Sequence, residues 1–160
     1  MYFNRRHALL SLAALAGCGF QPVYGPQASG RSLRGRIAYR APNTPEGFRL
    51  RARLEDRLGR TERGDYLLVV QMEVEEVAVV ISSSQNINRF NLPGTATWQM
   101  TEDGSDRVIA SGTAETFTSY SAFGTTVATQ EAQDDARDRL AIALADLIVT
   151  DLIVAATGAT

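Results

Sequence analysis

DYLLVVQMEVEEVAVVI, residues Asp65–Ile81, decides the fold. Tyr66, Leu68, Val70, Met72 and Val74 recur at every second position with Glu73 and Glu75 between them, which is the period of a strand with one buried face. At Glu75-Glu76 the alternation slips, and Val77, Val79 and Ile81 continue on the opposite phase. A bulge or a strand break near Glu76 would absorb the slip and spare these side chains from water.

Toward the N-terminus, Arg36–Arg40 predicts a short strand with Ile37 and Tyr39 on one face, ended by Pro42. Thr44-Pro45 then reads as a helix start, Thr44 capping and Pro45 in the first helical position, where its missing N–H costs nothing. Leu50, Leu54 and Leu58 at four-residue spacing, widened by Phe48 and Ala52, carry that helix to about Arg60. Toward the C-terminus, residues 82–88 form a polar loop and a strand runs through Trp98 and Met100. The pair Asp103-Gly104 is a hairpin signal, with a return strand from Arg107 toward Tyr120. Pro93-Gly94 puts a bulge at the start of the first arm or places that arm at a sheet edge. A last helix, capped by Thr129 and carrying Ala132, Ala136, Leu140, Ala143, Leu144, Leu147 and Ile148 on one face, runs to about Ala156. The expected fold class is α+β, a two-layer sandwich with two helices packed on one face of a four-stranded mixed or antiparallel sheet.

The N-terminus has a different character. Arg5 and Arg6, an apolar run from Ala8 to Ala16, then Gly17 and Cys18 follow the order of an export signal. The run is about half the roughly 20 residues a bilayer span needs. Arg5-Arg6 fits the positive start of an ordinary secretory signal better than a twin-arginine one. Leu15-Ala16-Gly17-Cys18 is similar to a bacterial lipobox, in which the cysteine thiol takes a diacylglycerol and the signal is cut just before it. Three segments are expected: residues 1–17 as lipoprotein signal peptide, 18–32 as a lipidated tether rich in Gly, Pro and Ser, and 33–160 as one domain.

Two absences narrow the chemistry. His7 is the only histidine and would leave with the signal, and all sixteen basic residues are arginine, so there is no lysine. Devices built on an imidazole base, on histidine-ligated zinc or on a lysine Schiff base are thereby excluded from residues 18–160. Asp134, Asp135 and Asp138 could in principle form an acid site, but acids at a helix start are explained by the macrodipole. The sequence shows no phosphate-binding glycine loop, no nucleophile elbow and no nucleic-acid module. A non-enzymatic protein without metal or cofactor, apart from a covalent lipid on Cys18, is the expectation.

Charge divides along the chain: residues 31–63 hold ten arginines against four acids, and residues 65–160 four arginines against fourteen acids. A basic front half could meet an anionic partner, or it could be a solvated helix face.

Cys18-Gly19-Phe20-Gln21-Pro22-Val23-Tyr24-Gly25, the order of strands and helices, Thr118-Ser119-Tyr120 and Asp134-Asp135-Ala136 together resemble the LptE family of lipopolysaccharide-assembly lipoproteins. The resemblance implies an outer-membrane lipoprotein, anchored on the periplasmic side, that plugs the barrel LptD and helps deliver lipopolysaccharide to the cell surface. It also implies basic lipopolysaccharide contacts at a tip of the sheet. Arg89, beside the polar loop, and Arg107, beside the hairpin turn, are the candidates. The competing expectation is a generic lipid-anchored scaffold without a barrel.

Overall fold

The computed structural model describes residues 33–80, 87–122 and 125–158, so the signal, Cys18 and the tether lie outside the described residues. The elements run β1 (Ile37–Arg40), α1 (Pro45–Leu58), β2 (Tyr66–Val74), β3 (Val77–Val80), β4 (Ile87–Glu102), β5 (Val108–Ser121) and α2 (Thr126–Gly158). The fold is α+β with a mixed sheet, as the sequence implies, but with five strands instead of four. β1 lies parallel to β2; β2 and β3 follow one another along one edge of β4, and β5 covers the other edge.

The extra strand comes from Pro93. Met72 faces Ala96, Val74 faces Gly94 and Val77 faces Asn91, so the register of β2 simply continues into β3. Glu75 donates its N–H to the Pro93 carbonyl at 3.0 Å, and Pro93 has no N–H to return. The ladder breaks there without a bulge; the irregularity lies later, between Val79 and Val80. Val77 and Val79 therefore stay on the face away from the helices, opposite to expectation, with Val77 47% exposed. Pro93 itself sits in the central strand and not at a sheet edge.

Thr44 caps α1 as predicted, its Oγ1 accepting from the Gly47 N–H at 3.1 Å with Pro45 first in the helix. Leu50, Leu54 and Leu58 are fully buried, whereas Phe48 is 59% exposed and Ala52 is also outside the core. The cap of α2 is Thr125 and not Thr129: Thr125 Oγ1 accepts from the Ala128 N–H and its carbonyl from the Thr129 N–H. At 33 residues α2 is about 50 Å long. Its buried face is Ala136, Leu140, Ala141, Leu144, Ala145, Ile148, Val149 and Leu152. Burying each Leu or Ile there contributes about 2 kcal/mol. The sequence reading set this face too far to one side, for Leu147 is exposed and Ala143 only partly covered. Gly104, with φ of +72°, makes the predicted hairpin turn between β4 and β5.

The two helices run parallel over the sheet and are joined by ion pairs. Arg53 holds both carboxylate oxygens of Asp146 at 3.0 and 3.1 Å, Arg57 reaches the same acid at 2.6 Å, Arg49 meets Asp138, and Arg137 meets Glu46 at 2.9 Å. Three arginines of α1 thus lie along the acids of α2 in a partly exposed seam, while Arg51 and Arg60 pair with Glu55 on the solvated face. Burial alone would raise the Glu46 carboxyl, but its own backbone N–H, Arg137 and Thr44 outweigh that and hold it below 4.5. A carboxylate whose folded pKa is depressed stabilises the fold above its unfolded value and loses that contribution as pH falls through the folded one. Resistance of the domain to urea unfolding is expected to fall as pH drops through the ordinary glutamate range, and Glu46→Gln should flatten that dependence. An unchanged slope in the variant would remove Glu46 as its source.

Candidate functional site

Among the described residues helices cover one face of the sheet, so the other face is where they present surface. On it the register sets Val79, Arg89 and Ser121 in one row, Val77, Asn91 and Ser119 in the next, then Pro93 beside Phe117. Neighbouring strands are about 4.8 Å apart, so these side chains touch or nearly touch. Phe117 is 69% exposed and lies beside Pro93 two rows from Arg89, while the exposed Val77 stands one row from it beside Asn91.

Arg89 has no carboxylate partner among the described residues; its nearest polar neighbour is Ser119 Oγ at 3.5 Å, a weak contact at best. Its charge is thus available for an anion. Beneath, on the helix side, the rings of Phe90 and Tyr120 stack at 5.1 Å and 12°. Burial, reinforced by the neighbouring Glu76 carboxylate, pushes the Tyr120 hydroxyl above its ordinary range, so it stays protonated. Glu76 in turn accepts from Gln133 of α2 at 2.6 Å and lies 3.9 Å from Arg137. The bare tip is therefore backed by a pinned and buried layer.

Arg107 is at the other end. Its neighbour Glu102 is thirteen positions along β4 from Arg89, about 43 Å at strand rise, so the two predicted arginines do not converge on one ligand. Arg107 pairs with Glu102 at 2.9 Å and remains 66% exposed, and a pair so open contributes little to stability. Cys18, the third predicted site residue, lies outside the described residues.

Sequence reasoning missed Val77, Pro93 and Phe117. The signal for Phe117 was there, a phenylalanine in the polar phase Thr113, Glu115, Ser119 of β5. That of Val77 was misread as a return to the core. Among the described residues no three His, Cys, Asp or Glu side chains group as a metal site.

Comparison with known proteins adds the following. The family model described as LptE, lipopolysaccharide-assembly, matches residues 34–152. No curated protein matches. Among solved structures, a lipoprotein from Caulobacter crescentus is similar at 23% identity and a TM-score of 0.67, covering 81% of this chain and 96% of that one. The rare lipoprotein B of Shewanella oneidensis has 13% identity and a TM-score of 0.59 over 76% and 96% of the two chains. A lipoprotein B from Nitrosomonas europaea has 14% identity and a TM-score of 0.57 over 82% and 88%. At these identities the likeness is one of fold.

Proposed function

The chain belongs to the LptE lipopolysaccharide-assembly family, and from that premise we propose that it is a lipid-anchored outer-membrane protein that plugs an LptD-type barrel and contacts lipopolysaccharide during its assembly into the outer leaflet. The family is one of assembly and not of catalysis, and the surface chemistry suits that role. The observation that carries the reading is Arg89, a cation without an acid partner among the described residues, on the same bare face of the sheet as the exposed Val77 and Phe117. Lipopolysaccharide has phosphates next to acyl chains, and a guanidinium offers phosphate a planar fork of donors. Arg107, which would first have to leave Glu102, is proposed as a second and weaker anionic contact at the opposite end.

Arg89→Ala is expected to weaken lipopolysaccharide binding by the purified domain about fivefold to tenfold, most at low salt, with a smaller loss for Arg107→Ala. Unchanged binding in both single variants and the double would leave them as surface arginines. The decisive experiment concerns the barrel. Gentle detergent purification of the tagged chain should recover a large β-barrel at about one to one, and depleting the chain should misassemble that barrel and hold lipopolysaccharide back from the surface. A chain that came out alone, with surface lipopolysaccharide normal after depletion, would be a generic scaffold instead.

A further inference from the structure

The bonding phase set by Pro93 also fixes which way the main chain of β5 points. Because the Pro93 carbonyl turns toward Glu75, Gly94 and the other even positions of β4 turn toward β5, and they bond the even positions Ala110, Gly112, Ala114 and Thr116. Ser111, Thr113, Glu115 and Phe117 then direct their N–H and C=O groups away from the sheet. β5 pairs with nothing but β4 among the described residues. Arg139 confirms the phase by donating to the next outward carbonyl, that of Ser119, at 3.3 Å. Beyond that one guarded group the edge lacks the usual defences. Val108–Ser121 contains no proline and no basic residue, and Glu115 is its only charge.

A second surface lies directly above this edge. α2 packs chiefly on β5 and less on β4, while α1 lies toward β1. Asp138 and Asp146 mark the side of α2 that faces α1, and Leu140, Leu144 and Ile148 mark the side on the sheet. At helical spacing the remaining lower flank is Ala143, Leu147, Asp151 and Val154, overhanging the space beyond β5. Leu147 and Val154 are exposed there, Val154 at 66%. Asp151 is half-buried and has no ion pair among the described residues.

We infer that this edge and the overhanging flank receive an extended segment of a partner polypeptide as an added strand, with side chains at alternate positions packing under Leu147 and Val154 and a basic one placed near Asp151. Main-chain bonds to Thr113 and Glu115 would give affinity, and the flank would give specificity. A second copy paired antiparallel with both helix layers on one face does not fit: it would set two α2 helices about one strand spacing apart, roughly 5 Å, where packed helices need about 8–10 Å. The chain's own tether joins at Leu33, next to β1 at the opposite edge of the sheet, and carries Pro22 and Pro26, which cannot donate. The inference deepens the reading above only in taking the barrel protein as the source of that segment.

The test uses the full lipidated chain, alone and with its co-purified barrel, in amide hydrogen exchange resolved to single residues. The N–H groups of residues 111, 113 and 115 should exchange at least tenfold more slowly in the complex, with their even neighbours unchanged. Thr113→Pro and Glu115→Pro remove only outward donors, so the free variants should unfold near the wild-type temperature and yet recover at least tenfold less partner. If the barrel co-purifies but these amides stay unprotected, or both proline variants recover it fully, the inference falls and the proposed function stands. Protection by a different polypeptide keeps the inference and overturns the barrel; recovery of no partner overturns both. Protection in the isolated chain would replace the partner strand with a second copy where it depends on concentration, or with the tether where deleting residues 19–32 abolishes it.

Discussion

Gly94→Val is expected to destabilise the domain by about 3 kcal/mol. A Cβ at Gly94 would stand 2.8 Å from Leu140 Cδ2 and 3.1 Å from its Cδ1 and Cγ, so the whole end of that side chain blocks it. Leu140 is fully buried on α2 and has nowhere to turn, which forces the helix itself to lift from the sheet. The loss would spread along α2, because Leu144 and Ile148 follow on the same face. Chemical denaturation of the purified domain measures the effect. Leu140→Ala alone should cost about 3 kcal/mol through its cavity. Combining it with Gly94→Val should cost clearly less than the sum, since the new side chain occupies the space the old one left. Strict additivity would mean that the two positions are not in contact.

Cys18→Ser is expected to abolish stable membrane attachment, the largest effect on the protein in the cell. Each buried acyl methylene contributes about 0.8 kcal/mol, and lasting anchorage needs more than one chain. A serine hydroxyl offers no thiol for the diacylglycerol, so the precursor should keep residues 1–17 and incorporate no labelled acyl chain. Metabolic acyl labelling with membrane fractionation decides it: label retained on the serine variant would overturn lipidation at Cys18.

Two local signals in the sequence transferred to the structure, whereas the cap of α2 fell on Thr125 instead of Thr129. Thr44-Pro45 and Asp103-Gly104 act within a few residues, through a cap bond and a turn conformation, and both appear where expected. What was hidden depends on a partner distant in sequence. The slip at Glu75-Glu76 could not be told from a bulge, since its cause, Pro93, sits on another strand. The arginines of α1 looked available because the acids that take them up, Asp138 and Asp146, lie about ninety residues away. Of the site, Arg89 was legible as a cation near a strand end, but which apolar side chains share its face needed the register of three strands. The free edge of β5 was invisible for the same reason, as pairing is a property of the sheet and not of the strand.

α2 comes last in chain order among the described elements, and it supplies eight of the buried core side chains together with the acids that neutralise α1. Until it arrives, β4 and β5 have no cover and the contacts that complete the layer have no second half. Contacts so distant in sequence form slowly, because the chain between them must be ordered before they repay its entropy. A chain in which α2 has not yet docked therefore stays loose. Loss of the turns from Ile148 onward would take Ile148, Val149 and Leu152 out of that core and destabilise the domain.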